Sequence, residues 1–382
     1  MGLEKLQITV NFLAFGWQNR GWRPRLKPEP EASAEDSGRI EVAHHRMAPR
    51  ISFTGTSSMG KGLTSSSLAA ALALASLAGA SVKTIPSSGN SAASRGCQAA
   101  KQTESEIGTT RPPSDAAIAA RAKILLEHQH SNDVALEQYE RVERHVDRTG
   151  GATPRVLDDK TYRVVPTGTG TMKLLLKDGD RPVDPAEYRK QLVAWKELLE
   201  LMLKPEDSRT KSAYAKWQKR KDDRKELLDA TGAAFLTTWD AQETCNRRVC
   251  DVYDIQPNPN FHPRSLVQDI LTRVTAKIWV DRDANQLVHG EAHVMRDISF
   301  GGGILGKLYR GGVFFMQQEE VAPGVWLPTR YQYDFTARKF LFTSEQHQYV
   351  EAREYRRIGP PKQALAMVQT ELASGKAAYG DP

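Results

Sequence analysis

The sequence predicts an α+β fold in which a meander of antiparallel strands curls into one strongly bent sheet, led by a helix and interrupted by a helical insertion. Three observations predict it. Alternating apolar and polar residues dominate from Ala233 to Ile358, broken by polar or Pro-Gly turns. Helical three- and four-residue periodicity is confined to about 114–129 and 184–230. Strands and helices never alternate regularly, which excludes a doubly wound parallel sheet.

The first ambiguous stretch is "GTSSMGKG", Gly55 to Gly62. A phosphate-cradling loop needs a hydroxyl after its Lys to hold Mg²⁺, and Gly62 stands in that place after Lys61. Read from Met59, the same letters make an export signal: Lys61 in the n-region, an apolar stretch from Leu68 to Leu77, and Ala78-Gly79-Ala80 as a small-x-small cleavage site. The apolar run is short for a bilayer span. A loose Ala-rich helix is the other reading. Residues 1–58, rich in Pro, Arg and Glu without a sustained period, then read as a disordered or upstream-start leader, and 59–80 as the signal. Residues 81–113 are Ser-, Gly-, Thr- and Gln-rich and read as a flexible linker. Within it, Arg95 before Cys97 spoils the small apolar run expected ahead of a lipid-modified Cys. The expected product is an exported domain spanning 114–361, followed by a tail at 362–382.

The domain opens on a helix, "SDAAIAARAKILLEHQ", capped by Ser114 or Asp115, with Ile118, Ala122, Leu125 and Leu126 on one face. Extended runs "EQYERVERHV", "TYRVVP" and "TMKLLLKD" follow, with turn signals at "GTG" and "DGD". Asp184-Pro185 starts the insertion at 184–230, whose first helix carries the stripe Tyr188, Leu192, Trp195, Leu199, Met202. Its second helix is basic over 211–225. Those charges offer a face to an envelope protein or an anionic membrane surface, or they pair with Asp222, Asp223 and Glu226 on a solvated helix. "TAKIWVDRDANQLVHGEAHV" is a strand, a turn at Asp281 to Asn285, and a strand. "GGVFFMQQEEVAPGVWLPTRYQYDF" turns at Pro323-Gly324, and "ARKFLFTSEQHQYVEAREYRRI" supplies a last long strand.

Cys245 and Cys250 flank "NRRV" in a hairpin-like stretch. A turn centred on Arg247-Arg248 brings them opposite one another, where a disulfide fits; a turn on Asn246-Arg247 shifts the register and separates them. Alternation places Ile278 with Val280, then Val288 with Ala292 and Val294, then Leu327 with Tyr331, Tyr333 and Phe335, then Phe340 with Phe342, on an apolar side. A bent sheet with such a side covers it with helices or leaves a cavity for an apolar ligand.

The element order, with "AKIWVDRDANQLVHGEAHVM" and "GGVFFMQQEEVAPGVWLPTRYQYDF" as its most recognisable pieces, resembles the LolA/LolB-like superfamily of envelope lipoprotein carriers. The resemblance covers roughly Asp115 to Ile358. It implies an incomplete barrel with a helical lid, and a soluble carrier of a lipid or lipoprotein acyl chain. It supplies no catalytic motif, and the insertion at 184–230 departs from the simplest pattern. On this view Ile278, Val280, Val288, Val294, Leu327, Tyr331, Phe335 and Phe340 line an acyl-chain cavity.

Other chemistry is weaker in the sequence. The net charge of +7 is spread along the chain, and no zinc-finger, RRM or helix-turn-helix signature accompanies it, so no nucleic-acid partner is expected. His289, Glu291 and His293 alternate on one strand, which reads as a polar outer face before it reads as a metal site. Neither G-x-S-x-G nor H-E-x-x-H occurs. The Gly-rich segment Ile298 to Gly312 lacks the Lys-Ser/Thr pair of a phosphate loop, leaving a mobile apolar flap or an ordinary hairpin connection. Three functions are therefore weighed: the carrier, an envelope scaffold with a packed core, and a metal-dependent hydrolase centred on His289 and His293. The first, with no catalytic residue, metal or cofactor, is the expectation.

Overall fold

The computed structural model describes residues 97–98, 112–151, 153–300 and 306–374. The leader, the signal segment and most of the linker lie outside them, as do residues 301–305 of the Gly-rich stretch. In chain order, the dipeptide strand β1 (Cys97–Gln98) precedes helix α1 (Asp115–Leu136) and strands β2 (Tyr139–Arg148), β3 (Val156–Pro166), β4 (Thr171–Asp178) and β5 (Arg181–Pro182). The insertion supplies α2 (Pro185–Met202) and α3 (Ser208–Ala234). Next come β6 (Phe235–Cys245), β7 (Arg248–Pro257), the short α4 (Leu266–Leu271), β8 (Val274–Asp281) and β9 (Leu287–Val294). Finally β10 (Ile298–Phe300), β11 (Gly306–Leu308), β12 (Val313–Ala322), β13 (Val325–Lys339) and β14 (Phe342–Arg357) lead to α5 (Pro361–Ser374).

All the strands pair antiparallel into one sheet, ordered β1-β6-β7-β8-β9-β12-β13-β14-β2-β3-β4-β5, with β10 and β11 attached beside β13. β1 and β5 are its two edges, so the sheet curves without closing and forms an incomplete barrel. Hairpin connections build each half, and the pairing of β14 with β2 joins them. Part of the expected linker is thus an edge strand, since Cys97 and Gln98 pair with Cys245 and Thr244.

Directly opposed residues share a face, so the pairings trace the inner surface. One row of partners runs His145–Val350–Tyr331–Met316–Gly290–Ile278–Tyr253, from β2 to β7. Val350, Tyr331, Met316, Ile278 and Tyr253 of this row join the main core, where α1 contributes Ile118 and Leu125, α3 Leu227 and Leu228, and α4 Ile270 and Leu271. These helices cover the inner face. α1 begins as expected, with Ser114 Oγ accepting from the Ala117 amide at 3.3 Å, but runs seven residues past Gln129.

The stripe of α2 is fully buried, on the outer face: Tyr188, Leu192, Trp195 and Leu199 pack with Val165, Leu174, and Ala364 and Val368 of α5. Of the expected tail at 362–382, the part up to Ser374 is corrected, because Pro361–Ser374 is a helix that helps to cover β3 and β4, and residues 375–382 lie outside those described. Arg163 fastens this layer. Its guanidinium is fully buried and donates to Glu140 (2.8 Å), Tyr188 Oη (2.9 Å) and Glu371 (2.9 Å), joining β2, α2 and α5.

Candidate functional site

Five of the eight expected lining residues, Ile278, Val280, Val294, Tyr331 and Phe335, meet in the inner-face core. The other three do not. At β8–β9 the register passes from Trp279 opposite His289 to Val280 opposite Leu287, leaving Val288 as a bulge residue; Leu287 takes the inner place and Val288 packs with Trp279, Trp326 and Cys250. A second shift, from Gln317 opposite Arg330 to Gln318 opposite Pro328, takes Leu327 into a separate group with Leu136 and Tyr139. Phe340 is no strand residue at all. It lies in the β13–β14 turn at φ 54° and is 50% exposed, beside Leu341 at 91% and Phe342 at 71%. No Gly, Pro or Asn marks this turn, so alternation was read straight through it.

The cysteine question is settled by the turn. Asn246 (φ 49°) and Arg247 (φ 66°) are its central residues, so Cys245 opposes Arg248 and Cys250 opposes Glu243. Cys245 is disulfide-bonded, but Cys250 is a free buried thiol, so of the two readings the Cys245–Cys250 bridge is corrected and the Asn246-Arg247 turn that separates the pair is the one found. Burial pushes the Cys250 thiol up to about 12.

The inner face changes character at β2. Arg141, Glu143 and His145 alternate there and are all buried, on the side that carries Val350 and Tyr331. Arg141 Nε donates to Glu143 at 2.6 Å, and the other Glu143 oxygen lies 2.7 Å from His145 Nε2. Lys173 of β4 places its Nζ 3.2 Å from the same ring nitrogen and 5.4 Å from the centre of the Tyr162 ring, which packs edge-on to His145. Against the cost of burial, Arg141 holds the Glu143 carboxyl far below the usual range; burial, then the Lys173 charge, holds the His145 pKa below its ordinary value, so the ring is neutral at pH 7. None of these residues stood out in the sequence, because charged residues in an alternating strand read as solvent-facing. The signal was the apolar partner strand on both sides.

The cover over this face is partly polar. α1 turns Gln129 and Asn132 inward beside its apolar residues, and they bond Gln318 (3.2 Å), Gln286 (2.9 Å) and the Trp326 amide (3.1 Å). In α3, residues 211–226 include no buried side chain. Its hydrogen bonds and ion pairs with the rest of the fold over that length include Trp217 Nε1 to Glu137 (3.1 Å), Lys221 to Glu137 (4.0 Å), Arg224 to Asp133, and Arg220 to the Thr169 carbonyl (2.6 Å). The basic run thus spends part of its charge on α1, and part within the helix through Lys219–Asp223 and Lys225–Asp229.

The alternating His289, Glu291 and His293 are on the outer face. His289 is buried there between Trp279 and Phe315, at centroid distances of 4.5 and 4.4 Å, with Glu291 at 3.0 Å from Nε2. Its burial between aromatic rings departs from the solvated face expected. Among the described residues, no group of three His, Cys, Asp or Glu side chains is arranged to hold a metal ion, and no helix is long and apolar enough to cross a membrane.

No family model and no curated protein matches the sequence. Among solved structures, the chain is similar to a LolA superfamily protein from Nitrosomonas europaea, at 9% identity and a TM-score of 0.27, covering 64% of this chain and 96% of that one. A DUF1329 family protein from Desulfovibrio piger gives 9% identity and 0.23, over 62% and 92% of the two chains. A domain from Vibrio parahaemolyticus, named for outer membrane lipoprotein sorting, gives 7% and 0.23 over the same shares. The fold stated above rests on the strand pairings themselves.

Proposed function

We propose that this chain is an exported carrier, not a catalyst, that shelters one acyl chain, of a lipid or a lipoprotein, against the inner face of its incomplete barrel. The observation that supports it most is the mixed character of the cover. A helix serving only to close a core presents Leu and Ile alone, whereas α1 presents Gln129 and Asn132 beside Ile118 and Leu125, and α3 buries no side chain over 211–226. Hydrogen bonds and part-buried ion pairs exchange with water at smaller net cost than apolar burial, so the helices can lift from Ile278, Val280, Val294, Tyr331 and Phe335. Each buried CH₂ of a ligand then returns about 0.8 kcal/mol, enough over an ordinary chain to offset ordering costs. Export through 59–80 to the periplasm belongs to this reading, as does a further contact of the basic helix with an envelope protein or anionic membrane. Native mass spectrometry of protein recovered from the cell envelope tests it. A bound lipid, absent from Val294→Asp, is the expected result. A protein free of lipid would favour the packed-core scaffold, for which the burial of every inner-face residue named here already speaks.

A further inference from the structure

The buried charges Arg141 and Glu143 of β2, with the exposed Lys173 of β4 beside them, belong to the same surface as the apolar row, yet contribute nothing to holding an acyl chain. Arg141 is 1% exposed and Glu143 3%. Arg141 spends Nε on Glu143, while its Nη1 is buried with no hydrogen-bond partner. With the imidazole neutral, Arg141 and Lys173 face one carboxylate. The neighbouring acids are engaged elsewhere: Asp147 accepts from Gln348 at 2.6 Å, and Asp158 takes Lys160 at 2.7 Å. A buried guanidinium N–H without an acceptor is costly, and a charged acceptor makes the strongest bond to it.

We infer that this end of the inner face is a head-group subsite for an anion, a carboxylate or a phosphate monoester, and that the ligand is an acidic amphiphile. The inference rests on the carrier reading. Position supports it as well as charge. Val350 and Tyr331 are the next residues along the row from His145, so a chain laid across β13, β12, β9 and β8 has its head beside Arg141 and Lys173. The five strand spacings from β2 to β8 amount to roughly 24 Å, the scale of a long acyl chain. α3 crosses this end too, because Arg220 holds the β3–β4 turn at Thr169, a few residues from Val164 and its partner Lys173. A neutral lipid would bury its chain equally well but leave Arg141 Nη1 without an acceptor.

The test is displacement of a fluorescent fatty-acid probe from the full chain by three matched ligands: hexadecanoate, hexadecan-1-ol and a lysophosphatidate. Wild type should bind at least one of the two acids about tenfold or more tighter than the alcohol, and which acid is preferred assigns carboxylate or phosphate. Arg141→Gln and the surface variant Lys173→Met should lose that preference while keeping the alcohol. Glu143→Gln removes the competing carboxylate and should tighten the acids; a merely structural Glu143 would instead loosen every ligand together. Equal binding of acid and alcohol by wild type overturns the head-group subsite and leaves the carrier reading standing. Absence of binding by all three overturns both.

Discussion

His145 is neutral at pH 7 because burial and the Lys173 ammonium disfavour its charged form, and this has a sign in stability. Its folded pKa lies below the ordinary 6.5, so an unfolded chain takes up the proton first as pH falls. The stability contributed by the neutral ring is therefore complete above about 6.5 and is lost below it, at up to about 1.4 kcal/mol per pH unit until the folded pKa is reached. Thermal melts from pH 8 to 5 should show wild type losing its margin over His145→Gln across that window; a constant margin would contradict the buried neutral ring. Cys250 gives a second expectation at this scale. Its thiol, pushed up to about 12 and buried, should resist iodoacetamide in the native protein, and denaturation without reductant should expose one reactive thiol per chain. Labelling of native Cys250 would count against the register of β6 and β7. That register was half legible in the sequence. Asn246 favours the left-handed conformation its turn needs, but Arg247 at φ 66° gives no such hint.

At the scale of elements, the strands were legible wherever alternation ran unbroken, as in β8, and the stripe of α2 named its buried residues in full. Bulges were not. One extra residue at Val288 turns a side chain to the other face, and nothing in "NQLVHGEAHV" marks the place. The β13–β14 turn was missed for a similar reason, since it is built from Phe340 and Leu341. Exposure predicts the consequence: Phe340→Ser should change stability by no more than about 0.5 kcal/mol, against about 2–5 kcal/mol for Ile278→Ala. Chemical denaturation of the two variants decides it, and a large loss in Phe340→Ser would return that ring to the core. For α3, the double change Asp133→Asn and Glu137→Gln removes the acids that hold 217–224. Amide exchange over 211–226 should then quicken while exchange in β8 and β9 stays slow. Equal protection in both proteins would show that these contacts do not hold the cover.

For the molecule as a whole, the sequence made the bent antiparallel sheet and its covering helices legible because burial writes itself into period. The polar end of the inner face left no such mark: Arg141, Glu143 and His145 look like any solvent-facing set until β14 and β3 are laid against them. Whether the cover opens onto a ligand is the claim on which the account turns. Titration of the full chain with a fluorescent fatty-acid probe measures it most directly, with Val294→Asp as the control, since an unpaired carboxylate in that core is costly to bury. The account predicts saturable binding near one probe per wild-type chain and none to a Val294→Asp protein that is still folded. Absence of saturable binding to wild type, or undiminished binding to folded Val294→Asp, would contradict it.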